Sequence, residues 1–124
     1  MGKKRYHRSM ERVPKELEIR IEVSRRSRIK RRPDRSIDFV SPLSSPFNYG
    51  SVMGRPAPDG DPEDALVLGD RIEAMSIVQV PVWGRVNFLD AGVQDHKWVC
   101  GLVRPTESEW KAVERFFSRY VWAK

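Results

Sequence analysis

The 124-residue sequence has one cysteine, Cys100, and two histidines, His7 and His96. A single cysteine excludes an internal disulfide framework, and a reducing, cytoplasmic setting is the expectation that follows. Neither histidine stands at ligand spacing from another His or Cys, so no metal cluster of that kind is read here. No apolar run approaches the roughly 18 residues that a membrane span needs. "MGKKRYHRSM" begins basic, but no apolar segment follows, so it does not read as a signal peptide. Gly2 lacks the Ser or Thr at position six that N-myristoylation wants, because that place holds Tyr6. No internal repeat is visible. Acidic residues are scarce in the first third: residues 1–35 hold 14 basic and 5 acidic residues, a net of +9. Residues 36–124 hold 9 and 12, a net of −3. So basic a third invites an anionic partner: phosphate, nucleic acid or an acidic surface.

The length fits one domain. Residues 1–14 are polar and basic up to Pro14 and read as a flexible tail, with one domain over 15–124. "LEIRIEV" (17–23) alternates apolar and polar residues, the mark of a half-buried strand. "SRRSRIKRRPDR" (24–35) carries seven basic residues and reads as a strand end with a turn at Pro33-Asp34. "SIDFV" (36–40) reads as a short strand. "SPLSSPFNYGSVMGRPAPDGDP" (41–62) holds five prolines and three glycines and reads as a long loop. Strands are expected at "ALVL" (65–68), at "SIVQVPVWGRVNFL" (76–89) and at "KWVCGLV" (97–103). The second should bend near Pro81 and Gly84, where a glycine suggests a bulge or a barrel corner. Then the period changes. Trp110, Val113, Phe116, Phe117, Tyr120 and Val121 share one helical face, and Thr106 with Glu109 makes a capping box. A helix over 106–122 follows. Several short strands before one helix give a mainly β (α+β) class: a small barrel closed by a C-terminal helix.

Two acidic stretches carry the chemistry. "APDGDPEDALVLGD" (57–70) crowds Asp59, Asp61 and Asp64 into six residues. Mutual repulsion makes that costly unless a cation sits among them. An exposed turn is one reading, since Asp, Gly and Pro are turn formers. A calcium loop starting at Asp59 fails, because its sixth and twelfth positions hold Asp64 and Asp70. "LDAGVQDHK" (89–97) places Asp90, Asp95 and Lys97 in a second turn. The two turns can face one another across the mouth of a barrel. Oxygen-only ligands suit a hard cation such as Mg2+, which keeps waters and commonly binds phosphate too. Lys30, Arg35 and Lys97 could hold phosphate oxygens. Together these are the parts of metal-assisted phosphoryl hydrolysis.

"FNYGSVMGRPAPDGDPEDALVLGD" resembles the signature region of family I soluble inorganic pyrophosphatases, an Asn-Tyr-Gly followed after a spacer by Asp-Gly-Asp-Pro-x-Asp. "IEV" (21–23), "SRIK" (27–30), "VWGRVNFLDAGVQDHKWVCGLV" (82–103) and "FFSRY" (116–120) resemble further family stretches, in order. The resemblance implies a closed, OB-like five-stranded barrel with helical additions, and hydrolysis of pyrophosphate to two phosphates. It implies that Asp59, Asp64 and Asp95 hold activating Mg2+, and that Asp90 with Asp95 holds a substrate-bound metal, with Glu22 in support. It assigns Asp61 to the attacking water, and Lys30, Lys97, Tyr49 and Tyr120 to phosphate. Arg35 matches the family's phosphate arginine loosely, across a shorter hairpin. Members are commonly oligomeric, which leaves a homo-oligomer open here.

The sequence departs from the family pattern at several places. Arg32 stands where a supporting carboxylate is usual, Ser45 where a tyrosine falls, and Val121 where a lysine follows the tyrosine. Glu63 stands inside the acidic stretch where an apolar residue is usual. These changes favour retained metal binding with altered affinity or substrate, and reduced activity. The alternative reading is a catalytically weak or inactive barrel that binds nucleic acid or an acidic partner through residues 3–35. Against it, "SRRSRIKRR" contains none of the aromatics on which single-stranded nucleic acid stacks.

Overall fold

Leu17, Ile19 and Ile21 are buried while, between them, Glu18 is exposed and Arg20 half-buried, so "LEIRIEV" is the two-faced strand its alternation predicts. The computed structural model describes residues 6–32, 34–40, 44–56, 60, 62–90 and 93–123. In chain order its elements are β1 (Tyr6–Ser9), β2 (Glu16–Val23), β3 (Ile29–Arg31), β4 (Ile37–Val40), β5 (Asn48–Pro56), β6 (Pro62–Val67), β7 (Ile77–Asp90), β8 (Val93–Cys100) and α1 (Glu107–Ala123).

Strands β7, β2, β5, β6 and β8 lie side by side, and β7 pairs again with β8 to close a five-stranded barrel. The first half of β7 pairs with β2 and its second half with β8. The register shift that allows the turn falls between Val82 and Gly84, at the glycine where a bulge was expected. A Cβ on Gly84 would meet the Met10 sulfur at 2.7 Å and the Trp110 ring at 2.8 Å, so only glycine lets the helix settle this closely. All barrel pairings are antiparallel except β6 with β8, which run parallel. Strands β3 and β4 form a separate two-stranded hairpin.

Two apolar clusters hold the barrel from either side of its wall. Inside it lie Leu17, Ile19, Ile21, Val52, Ala65, Val67, Val80, Val82, Trp98 and Cys100. Burial pushes the Cys100 thiol up to about 12, which leaves it protonated and inert. Outside the wall, Phe47, Leu66, Val86 and Val99 pack under Trp110, Val113 and Phe117 of α1. Each such fully buried side chain contributes roughly 1.5–3 kcal/mol of hydrophobic stabilisation. The helix starts as its sequence predicts. Glu109 N donates to Thr106 Oγ1 at 3.1 Å, and Thr106 N donates to Glu109 Oε1 at 3.0 Å.

The structure corrects three expectations. Residues 6–9 are not tail but strand β1, paired with Arg85–Phe88 of β7. Arg8 fixes them in place through ion pairs to Glu107 at 2.9 Å and Glu114 at 2.6 Å on α1. The expected long loop over 41–62 contains β5. Its Gly50 reads as a loop residue, yet a Cβ there would lie 2.0 Å from the Arg20 carbonyl oxygen across the β2 pairing. The glycine is there for close strand approach, not for a turn. Finally, β6 begins at Pro62 and β8 at Val93, both earlier than expected. Asp64 and Asp95 are therefore strand residues, not turn residues, and Lys97, expected at the start of a strand, lies inside one. No helix among the described residues is long and apolar enough to cross a membrane.

Candidate active site

Strand alternation decides which side chains meet. On β6, Ala65 and Val67 face the barrel interior, so Asp64 and Leu66 face outward. On β8, Trp98 and Cys100 face inward, so Asp95, Lys97 and Val99 face outward. On β5, Val52 faces inward and Tyr49 packs with the outer cluster. The parallel pairing sets Asp64 opposite Lys97. The cluster thus forms on the outer wall of the barrel, continuous with the face that α1 covers. Of the residues expected to face one another across the barrel mouth, Asp64, Asp95 and Lys97 are described, and they stand on this outer face.

Lys97 is the centre of this cluster. Its ammonium contacts the Asp64 carboxylate directly and lies 3.2 Å from Asp95 Oδ2. The same nitrogen is 5.6 Å from the centre of the Tyr49 ring. The other Asp95 oxygen, Oδ1, accepts a hydrogen bond from His96 N at 2.8 Å. The lysine side chain is 6% exposed, whereas those of Asp64 and Asp95 are 33% and 41% exposed. A buried cation therefore holds two carboxylates that still reach solvent. Burial alone would lower the Lys97 pKa, but Tyr49 and Asp64 outweigh it and hold the ammonium above its ordinary value. Burial raises the Tyr49 phenol, which keeps it a neutral hydroxyl.

The remaining expected residues are more dispersed. Glu22 is buried on β2, with Arg20 Nη2 3.8 Å from its Oε2. Lys30 lies on β3, 3.5 Å from Asp38 on β4. Arg32 also pairs with Asp38, at 3.2 Å, so the cation at the family's carboxylate position is engaged by the hairpin's own acid. Arg35 is exposed in the β3–β4 turn with φ 73°, and its carbonyl accepts from Arg31. Asp59 and Asp61 lie outside the described residues, as do the side chains of Asp90 and Tyr120. The main chain of Asp90 ends β7 opposite Val93, and Tyr120 falls within α1.

Among the described residues no group of three or more His, Cys, Asp or Glu gathers as a metal centre. The two carboxylates that do converge among the described residues, Asp64 and Asp95, meet on the Lys97 ammonium and keep partial exposure, and they offer oxygen donors only. That donor set fits a hard cation such as Mg2+.

Sequence reasoning missed the counterpart of this cluster on the inner side of the wall. Glu63 is 8% exposed, and its Oε2 is 2.5 Å from His96 Nε2 and 3.2 Å from Trp98 Nε1. Its Oε1 lies 3.1 Å from Arg55 Nε. His96 is thus a strand residue with a buried partner, not the turn residue it resembles. The available signal was period two: Glu63 keeps step with Ala65 and Val67, and His96 with Trp98 and Cys100.

A family model described as inorganic pyrophosphatase matches residues 10–121. The inorganic pyrophosphatase of Gluconobacter oxydans is 29% identical over 130 residues, covering 87% of this chain and 75% of that protein. The solved structure of inorganic pyrophosphatase from Helicobacter pylori is 33% identical, with a TM-score of 0.64. It covers 72% of this chain and 59% of its own, so the present chain spans under two thirds of that relative. An inorganic phosphatase structure from Anaplasma phagocytophilum superposes with a TM-score of 0.71 at 26% identity, covering 89% of this chain and 78% of its own. The match runs through both acidic stretches, the barrel and most of α1, and on that extent the chain belongs to the inorganic pyrophosphatase family.

Proposed function

We propose that this chain hydrolyses inorganic pyrophosphate to two phosphates with Mg2+ as cofactor. The observation that carries the reading is the Lys97 ammonium held between Asp64 and Asp95 on the outer wall of the barrel, in a chain of this family. Asp59, Asp64, Asp90 and Asp95 would hold the metal, supported by Glu22. Bound Mg2+ lowers the pKa of water and offsets the charge of the phosphates. Asp61 is assigned to orient the attacking water and to accept its proton. Lys97, fixed and charged, meets a phosphate oxygen with little reorganisation, which is what stabilises charge spread in a phosphoryl-transfer transition state. The neutral Tyr49 hydroxyl is a hydrogen-bond donor to the same oxygens, and Tyr120 is assigned likewise. Lys30 and Arg35 complete the phosphate contacts from the β3–β4 hairpin. For Lys30 this competes with its ion pair to Asp38, which weakens its hold on phosphate. A cytoplasmic setting accords with this substrate and with the one buried thiol.

The test is phosphate release from pyrophosphate by the full chain in Mg2+, in excess chelator, and after Mg2+ is restored. Release that stops with chelator and returns with Mg2+ is expected. A folded protein that releases no phosphate at any Mg2+ concentration overturns the reading.

A further inference from the structure

Glu63 is the acid beside the cluster that the proposed reaction does not use. It faces the barrel interior, where an apolar residue would fill the space without the cost of burying a charge. Instead its two oxygens engage three side chains: His96, Trp98 and Arg55. Two of these partners, His96 and Trp98, flank Lys97 on β8.

We propose that Glu63, acting through His96, is a positioning residue that sets the Asp64 and Asp95 carboxylates at metal-binding separation. The inference rests on the proposed function only in taking those two aspartates as metal-binding. The parallel register between β6 and β8 begins at Asp64 and Lys97. Glu63 and His96 each stand one residue before that first pair, so their contact joins the strands just ahead of it. The next link is the main chain. The His96 N–H holds Asp95 Oδ1 at 2.8 Å, so where His96 sits decides where that carboxylate points. On β6 the residue after Glu63 is Asp64 itself. One inner contact therefore fixes the two strand segments whose outer faces carry the carboxylates. Lys97 joins the same two acids on the outer face. The wall is clamped from both sides at one point along its length.

Arg55 and Trp98 make this clamp specific. The Arg55 guanidinium sits 5.5 Å from the centre of the Trp98 ring while its Nε meets Glu63. The His96 ring stands edge-on to the same indole at 5.6 Å. Glu63 thus has little freedom to shift, and a hydrogen-bonded carboxylate fixes a strand spacing more sharply than an apolar contact does.

The test reads Mn2+ binding by electron paramagnetic resonance on the full chain without substrate. His96→Ala removes the link and leaves Glu63 its contacts with Arg55 and Trp98; Glu63→Leu removes all three contacts. Both are expected to weaken Mn2+ binding on the order of 10-fold, as outer-shell changes do. Glu63→Gln, which keeps an acceptor for Trp98 and a partner for His96, is expected to restore most of the affinity. Circular dichroism checks folding, and His96→Ala decides the question if Glu63→Leu does not fold. Wild-type Mn2+ affinity in a folded His96→Ala protein overturns the positioning role, whatever the hydrolysis assay shows. Intact Mn2+ binding with the expected variant losses, but no phosphate release, overturns the hydrolysis and leaves the positioning role standing. A wild-type chain that binds no Mn2+ overturns both.

Discussion

Lys97 and Asp64 meet side chain to side chain across the first register pair of the parallel β6–β8 ladder. The contact exists because two strands distant in sequence run parallel. Replacing Lys97 with methionine keeps the stem that lines the wall but removes the charge. The two carboxylates then lose their shared cation. Steady-state kinetics should show kcat/KM for pyrophosphate falling on the order of 100-fold, the usual size for a lost charge-stabilising donor. Thermal unfolding should show a stability loss of about 1–3 kcal/mol, reduced from the fully buried case because both acids reach solvent. Wild-type kcat/KM in Lys97→Met would remove the lysine from the site.

Arg8 links the added strand β1 to the helix, and this link should fail in acid. Its hydrogen bond to Glu107 holds that carboxyl below its ordinary value of 4.5 in the folded protein. A depressed folded pKa contributes stability that is fully present above the unfolded value and is lost as pH falls through the folded one. The difference in melting temperature between wild type and Arg8→Met should therefore be largest near neutral pH and shrink below about pH 4.5. A difference that is constant from pH 7 to pH 3 would assign the effect of Arg8 to packing against Trp110, over whose ring it lies at 4.8 Å.

Asn48 holds the closed barrel to the loop after β6. It is fully buried, its Nδ2 donates to the carbonyls of Val67 and Asp70, and its Oδ1 accepts from the amides of Arg25 and Ile72. Asn48→Ala leaves four main-chain groups without that partner. A loss of about 3 kcal/mol is expected, read as a fall in melting temperature of roughly 10 °C. A change within about 0.5 kcal/mol, the size of an ordinary surface substitution, would show that water replaces the amide without cost.

Local patterns carried much of this fold. The alternation of "LEIRIEV", the capping box at Thr106 and the bulge at Gly84 each depend on neighbours in sequence, and each appears where the sequence places it. What stayed hidden depends on distant partners. Gly50 belongs to a strand because of how near Arg20 comes, and no local pattern says so. Asp64 and Lys97 both stand out in the sequence as candidates, but their meeting on the outer wall follows from a parallel pairing between segments 33 residues apart. Glu63 and His96 were hidden for the same reason: the inward parity of each is visible only once the strands are known to begin earlier.

The proposed reaction is metal-assisted attack of water on pyrophosphate, with Asp61 at the water. Its most direct test is the rate of phosphate release in Mg2+ by the wild-type chain and by Asp61→Asn, both shown to be folded. The exchange keeps the size of the side chain and removes the proton acceptor, so a loss of at least roughly 100-fold in kcat is expected, in the range of a lost general base. Equal rates in the two proteins would overturn the role of Asp61 and with it the proposed reaction.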